Sequence, residues 1–244
     1  MIIDPEKYDA VLFDMDGVLT MTMKIHAICW KKMFDTFLAD RSARLGEPFQ
    51  AFEVNEDYKP YVDGKLRYDG VRSFLDSRGI HLPEGTPEDD PRLETVCSLG
   101  NRKDRMVNEM IDRDGVEVLD GSLAVARKVH TQGMKTAVVS ASKNCKKLLK
   151  AAGISDLFDL VVDGQVAAEL GLPGKPAPDT YLEAARELAV APARAVVVED
   201  AISGVQAGRA GGFGLVIGID HHGDEQALQQ NGADIVVKDL AEIL

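Results

Sequence analysis

Six short apolar runs stand out along the chain: AVLF (10–13), TAVVS (136–140), LVV (160–162), AVVVE (195–199), GLVIGI (214–219) and DIVV (234–237). They are rich in β-branched residues and continuous, without the polar alternation of a half-exposed strand. Strands buried on both faces of a parallel sheet read this way. Helical patterns fall between them. SLAVARKVHTQG (122–133) and NCKKLLKAAG (144–153) each end in glycine, which closes a helix in the left-handed conformation without steric cost. APDTYLEAARELAV (177–190) carries apolar residues at helical spacing. GRAGGFG (208–214) resembles a dinucleotide loop, but it follows a helix rather than a strand, so its glycines end that helix. The alternation from residue 115 onward predicts an α/β fold: a doubly wound, Rossmann-like parallel sheet.

Residues 21–114 carry a different pattern. HAICWKKMFDTFLADRSARLG (26–46), GVRSFLDSRG (70–79) and RKDRMVNEMIDRDG (102–115) are helical, strand-like runs are scarce, and EGTPEDDP (84–91) reads as a polar loop. The expected organisation is an α/β core from 1–20 and 115–244, with a helical domain inserted at 21–114. DGQVAAELGLPGKP (163–176) reads as a long loop within the core.

The strand ends carry the chemistry. In open α/β sheets, ligands bind outside the carboxyl ends of the strands. The first run ends in Asp14-Met15-Asp16-Gly17, the second in Ser140-Ala141-Ser142-Lys143-Asn144, and the fourth in Glu199-Asp200. Gly174-Lys175-Pro176-Ala177-Pro178-Asp179 lies between the third strand and the next helix. Ionised carboxylates at the end of a buried strand need partners, because burying unpaired charge is costly. Asp14, the carbonyl of Asp16, and Asp200 offer hard oxygens for Mg2+. Ser140, Lys143, Asn144 and Lys175 can hold phosphate oxygens. An aspartate can attack phosphorus, and a second carboxylate can shuttle protons to and from the oxygens. Together these are the parts of a phosphoryl-transfer site.

Charge narrows the partners. The formal net charge of -12 disfavours nucleic acid and anionic membrane surfaces, so the expected partner is a small phosphate-bearing molecule met by local cations. Cys29, Cys97 and Cys145 form neither a CxxC pair nor a zinc spacing. Their odd number and the acidic start MIIDPEKYDA point to a reducing, cytoplasmic setting. No apolar stretch approaches the length of a membrane span.

DMDGVLT, SASKN, GKPAPD and VVEDAISGVQAG, in this order, resemble the haloacid dehalogenase superfamily, and more narrowly its β-phosphoglucomutase branch. The resemblance spans nearly the whole chain. It implies Asp14 as the nucleophile that forms an aspartyl phosphate and Asp16 as general acid and base. It implies Mg2+ held by Asp14, the Asp16 backbone, Glu199 and Asp200. The loop Ser140-Ala141-Ser142-Lys143-Asn144 would contact phosphate, and Lys175 would neutralise charge at the transferring group. The insertion at 21–114 would be a helical cap. Thr22, His26, Trp30, Arg67 in GKLR and Lys103 in NRKD match the mutase branch; Arg67 would grip the phosphate not being transferred, while His26 and Lys103 would couple sugar binding to closure. Met21 departs from the branch, where Asp is common between two threonines.

Other readings of the same residues remain open. His26 and Trp30, four apart on a helix, share a face and could be a buried core pair. His221-His222 read as an exposed loop pair without a third metal ligand. Three functions follow: a Mg2+-dependent, monomeric mutase interconverting β-glucose 1-phosphate and glucose 6-phosphate through a bisphosphate; a sugar-phosphate phosphatase using the same core; or a non-catalytic sugar-phosphate-binding module. Asp14, Asp16 and Asp200 are all present, which weighs against the third.

Overall fold

The computed structural model describes residues 2–221 and 223–244. β1 (Ala10–Phe13) is wholly buried and central, with β2 (Lys135–Val139) on one side and β4 (Ala195–Glu199) on the other. β3 (Leu160–Val162), β5 (Leu215–Ile219) and β6 (Ile235–Val237) complete a six-stranded sheet in the order β3-β2-β1-β4-β5-β6, every pair parallel. Ala10 is in register with Lys135 and with Ala195, so the ends of β1, β2 and β4 arrive level. The chain steps outward from β1 to β3, then returns to β4 and steps outward the other way. That reversal leaves a crevice at the carboxyl ends of β1 and β4, where open α/β sheets take their ligands.

The connecting helices of the core are α5 (Asp120–Thr131), α6 (Cys145–Ala151), α7 (Gly164–Leu170), α8 (Asp179–Glu187), α9 (Ile202–Ala210) and α10 (Glu225–Asn231). α7 falls where the sequence reads as loop. Asp163 caps it, accepting from the N–H groups of Gln165 and Val166 at 3.0 Å each, and Gly171 closes it with φ +64. Both termini carry ordinary helix signals; what hid the helix is its length of two turns. GRAGGFG behaves as expected, with Gly211 closing α9. The sheet core packs Leu12, Val139, Val162 and Val197 with Tyr181 of α8 and Val205 of α9.

The chain divides into two compact units: Met1–Thr22, Gly64–Leu66 and Val116–Leu244 in one, Met23–Asp63 and Arg67–Gly115 in the other. The second is helical: α1 (Met23–Leu45), a single turn α2 (Lys59–Tyr61), α3 (Arg67–Ser77) and α4 (Val96–Asp114). Trp30, Met33, Phe34, Phe37 and Leu38 recur at helical spacing on α1 and are buried. Phe34 meets Phe74 of α3 with ring centroids 4.1 Å apart, and Phe52 stacks on Phe34 at 5.3 Å. Thr95 caps α4 through Ser98 N at 3.0 Å. No helix among the described residues is long and apolar enough to cross a membrane, and the three cysteines are buried and outside any disulfide.

Candidate active site

Asp14 is the first residue beyond β1. Its N–H donates to Val198 O at 2.9 Å, extending the β1–β4 ladder to the sheet's edge. Lys175 reaches it from the loop between α7 and α8. The ammonium lies 2.5 Å from Asp14 Oδ1, 2.6 Å from Glu199 Oε1 and 3.3 Å from the Val139 carbonyl. Those contacts match the three donors of a lysine. Glu199, at the end of β4, is fully buried. Its Oε1 also accepts from the Tyr181 hydroxyl at 2.8 Å, and its Oε2 accepts from the N–H groups of Asp200 at 3.1 Å and Ala201 at 3.2 Å.

Two glycines make this packing possible. Gly17 has φ +80, and a Cβ there would stand 2.5 Å from Cγ of Asp200. The turn after Asp16 therefore has neither the backbone conformation nor the room for a side chain. At Gly204 on α9, a Cβ would overlap the Glu199 carboxylate.

Asp16 is half-buried and accepts from the Thr22 hydroxyl. Thr22 and Thr20 have their hydroxyls 2.8 Å apart, and the Thr20 hydroxyl also donates to Met15 O at 3.2 Å. Met21 stands between them, tied by its N–H to Glu117 O at 2.9 Å. Ser140 is buried at the end of β2; its hydroxyl accepts from Ser142 N at 3.1 Å, and Ser142 Oγ accepts from Asn144 N at 3.2 Å. Ala141, Ser142, Lys143 and Asn144 are half-buried before α6.

The electrostatics reflect an excess of acid. Burial pushes the Asp14 carboxyl well above the usual range; the pull of Lys175 opposes this, while Glu199 and Asp16 add to it. Burial works against the charge on Lys175, but the charges and hydrogen bonds of Asp14 and Glu199 overcome it and hold the ammonium above an ordinary lysine. Asp14, Glu199 and Asp200 each offer a carboxylate oxygen, all within 4.8 Å of one another. Three clustered carboxylates, with two of them sharing one ammonium, offer hard oxygen donors that suit a divalent cation such as Mg2+.

The helical unit holds a second set of the expected residues. Lys103, 6% exposed, lies 2.6 Å from His26 Nδ1, and its ammonium sits 4.8 Å from the Trp30 ring centroid. Trp30 belongs to the apolar core of that unit. Arg67 pairs with Asp104 at 2.6 Å and lies 5.9 Å from the Tyr68 ring centroid.

Some contacts were not legible in the sequence. His221 is half-buried rather than exposed: its Nε2 donates to the Gly17 carbonyl at 2.6 Å, tying the loop after β5 to the Asp14–Gly17 turn. His222 lies outside the described residues. Tyr181 was read only as part of a helical pattern. A tyrosine among alanines in GKPAPDTYLEAA, six residues after Lys175, signals a buried hydroxyl in need of a partner, but not which one.

A parallel sheet of this order, with acids at the ends of β1 and β4 and a buried lysine between them, defines the haloacid dehalogenase-like class of α/β proteins. Residues 8–212 match the haloacid dehalogenase-like hydrolase family, and the chain belongs to it, in its β-phosphoglucomutase branch. It is 49% identical over 243 residues to the β-phosphoglucomutase of Mycobacterium bovis, covering 98% of this chain and 93% of that one. It is 31% identical over 238 residues to a phosphorylated carbohydrates phosphatase of Thermotoga maritima, covering 94% of each. The crystal structure of β-phosphoglucomutase from Clostridium difficile shares the fold, with a TM-score of 0.76 over 97% of this chain and 93% of that one, at 23% identity.

Proposed function

We propose that the protein catalyses Mg2+-dependent phosphoryl transfer through an aspartyl phosphate on Asp14, converting β-glucose 1-phosphate to glucose 6-phosphate through a bisphosphate intermediate. The observation that carries this reading is the buried Asp14–Lys175–Glu199 cluster at the switch point of the sheet, in a chain half identical to a mycobacterial β-phosphoglucomutase.

An Asp14 carboxylate oxygen attacks the phosphorus of the bisphosphate. The new bond is Asp14 Oδ–P, and the bond broken joins phosphorus to the sugar oxygen. Asp16, oriented by the Thr22 hydroxyl, gives its proton to that oxygen as it leaves. In the return step Asp16 takes the proton of the sugar hydroxyl that attacks the phosphorylated Asp14. Lys175 offsets negative charge beside the transferring group, and the loop from Ser140 to Asn144 binds its oxygens. Asp14, Asp200 and the Asp16 carbonyl are the candidates to hold Mg2+, with Glu199 joining them where the ion replaces one of its present hydrogen-bond partners; when bound, the ion would supply charge neutralisation for phosphate. Arg67 takes the distal phosphate, exchanging or sharing its contact with Asp104, and His26 and Lys103 contact the sugar phosphate. The helical unit acts as the cap that keeps water from the aspartyl phosphate while the sugar reorients.

A phosphatase with the same core residues is the second reading, favoured by the likeness to the Thermotoga enzyme. A paired assay separates the two. β-Glucose 1-phosphate, Mg2+ and a trace of the bisphosphate are supplied; glucose 6-phosphate is read by a coupled dehydrogenase and free phosphate in parallel. Rapid glucose 6-phosphate with little phosphate supports the mutase; phosphate without glucose 6-phosphate makes the protein a phosphatase. Arg67→Ala is expected to lower mutase flux far more than hydrolysis of a small phosphoester. Equal losses would remove Arg67 from the distal phosphate.

A further inference from the structure

We propose that Tyr181 is a positioning residue for phosphoryl transfer: its hydroxyl fixes the Glu199 carboxylate, and through it holds the Lys175 ammonium against Asp14. The proposal rests on the reading of Asp14 as the phosphorylated group.

The geometry is a closed chain of buried contacts. Tyr181 sits in the first turn of α8 and is fully buried. Its hydroxyl donates to Glu199 Oε1 at 2.8 Å, the oxygen that also takes Lys175 at 2.6 Å. Lys175 in turn reaches Asp14 Oδ1 at 2.5 Å. The same phenol ring lies beneath the ammonium, 4.9 Å from Nζ to the centroid, so Tyr181 engages both members of the Lys175–Glu199 pair. An edge-to-face contact with Phe213, at 6.0 Å, fixes the ring.

The hydroxyl matters because of how Glu199 is filled. An ionised carboxylate has about four lone-pair sites. The Asp200 and Ala201 N–H groups take Oε2, and Lys175 and Tyr181 take Oε1. Gly204 leaves no slack on the opposite side, since the carboxylate fills the space of its absent Cβ. Without the hydroxyl, Oε1 keeps the ammonium but loses its second anchor, and Lys175 can follow Glu199 away from Asp14. A phenylalanine fills the same volume and keeps the ring under Lys175, but cannot make this bond.

The test uses Tyr181→Phe and Tyr181→Leu in the full chain with Mg2+. Rapid quenching after mixing with β-glucose 1,6-bisphosphate gives the amount of phosphoaspartate and its rate of formation. The amplitude counts active sites; the rate reports their alignment. Tyr181→Phe is expected to keep the wild-type amplitude and the KM for β-glucose 1-phosphate, while the rate and kcat fall about ten- to 150-fold, as for loss of one hydrogen bond to a charged group. Tyr181→Leu, lacking the ring as well, is expected to be at least as slow per labelled site. A Tyr181→Phe rate within about twofold of wild type overturns the proposal, whatever the amplitude, because a packing role would change only the number of intact sites. Absence of phosphoaspartate in the wild type is a distinct result: it overturns the aspartyl-phosphate reading and this proposal with it.

Discussion

Replacing Gly17 by alanine separates two costs that the structure combines at one position. The first is conformational: a left-handed backbone costs an L-residue about 1–2 kcal/mol. Gly133 provides the control, with φ +79 and nothing within 4 Å of where its Cβ would stand. Gly133→Ala should therefore lose about 1–2 kcal/mol and leave the site untouched. Gly17 has nearly the same φ, +80, but its Cβ would stand 2.5 Å from Cγ of Asp200. Forcing that carboxylate aside adds about 1–3 kcal/mol, the usual cost of overpacking. The difference between the variants, about 1–3 kcal/mol, should appear as a melting temperature lower by roughly 2–12 °C for a chain of this size. The displaced Asp200 gives a second signature. Mg2+ affinity, measured by calorimetric titration without substrate, should fall about 10- to 100-fold for Gly17→Ala, as when the support of a metal ligand is removed. Gly133→Ala should bind Mg2+ as the wild type does. Equal melting temperatures for the two variants, together with wild-type Mg2+ affinity in Gly17→Ala, would refute the steric argument.

Two further perturbations have expected outcomes. Ala189 adopts φ 51 just past α8, so Ala189→Gly should stabilise the protein by about 0.5–1 kcal/mol net of glycine's greater unfolded-state entropy, read as a higher melting temperature; no gain would show that the strain is relieved locally. Burial holds the Asp14 carboxyl well above the ordinary aspartate range, so above that range the folded state keeps a proton that the unfolded chain releases. The contribution of Asp14 to stability without a divalent cation is therefore greatest at low pH and is lost as pH rises through the folded pKa. In urea melts with chelator, the stability of Asp14→Asn relative to wild type should rise across this window, and Mg2+ should stabilise the wild type more at pH 7.5 than at pH 5. A difference independent of pH would contradict the raised carboxyl.

The strands were legible because each apolar run is continuous and β-branched, and because period-two alternation fails when both faces of a sheet are buried. AVLF and AVVVE lie within a residue of their observed limits, and the acids just beyond them marked the edge where ligands bind. α7 was obscured by brevity and by the proline-containing loop after it, although Asp163 and Gly171 mark its ends. The partners of the acids were harder to read. Lys175 meets Asp14 across 161 positions and His221 meets Gly17 across 204, contacts that no local pattern encodes. Tyr181 illustrates the limit: the pattern placed it on a helix, while its hydroxyl partner depends on how α8 lies on the sheet. Glu199 is similar, since its place beside Lys175 follows from the strand register.

The central position of β1 has a consequence for synthesis. A chain is made from its amino terminus, so β1 leaves the ribosome before the other five strands of its sheet. Its neighbours come much later: Ala10 pairs with Lys135 on one side and with Ala195 on the other. A strand that must be buried on both edges thus waits for its first neighbour until residue 135 and for its second until residue 195. Asp14 can meet Lys175 and Glu199 only once β4 has emerged. A nascent chain ending before about residue 200 should therefore leave one edge of β1 unpaired and lack the complete acid–lysine cluster, relying on chaperones at that edge until the second half of the sheet arrives.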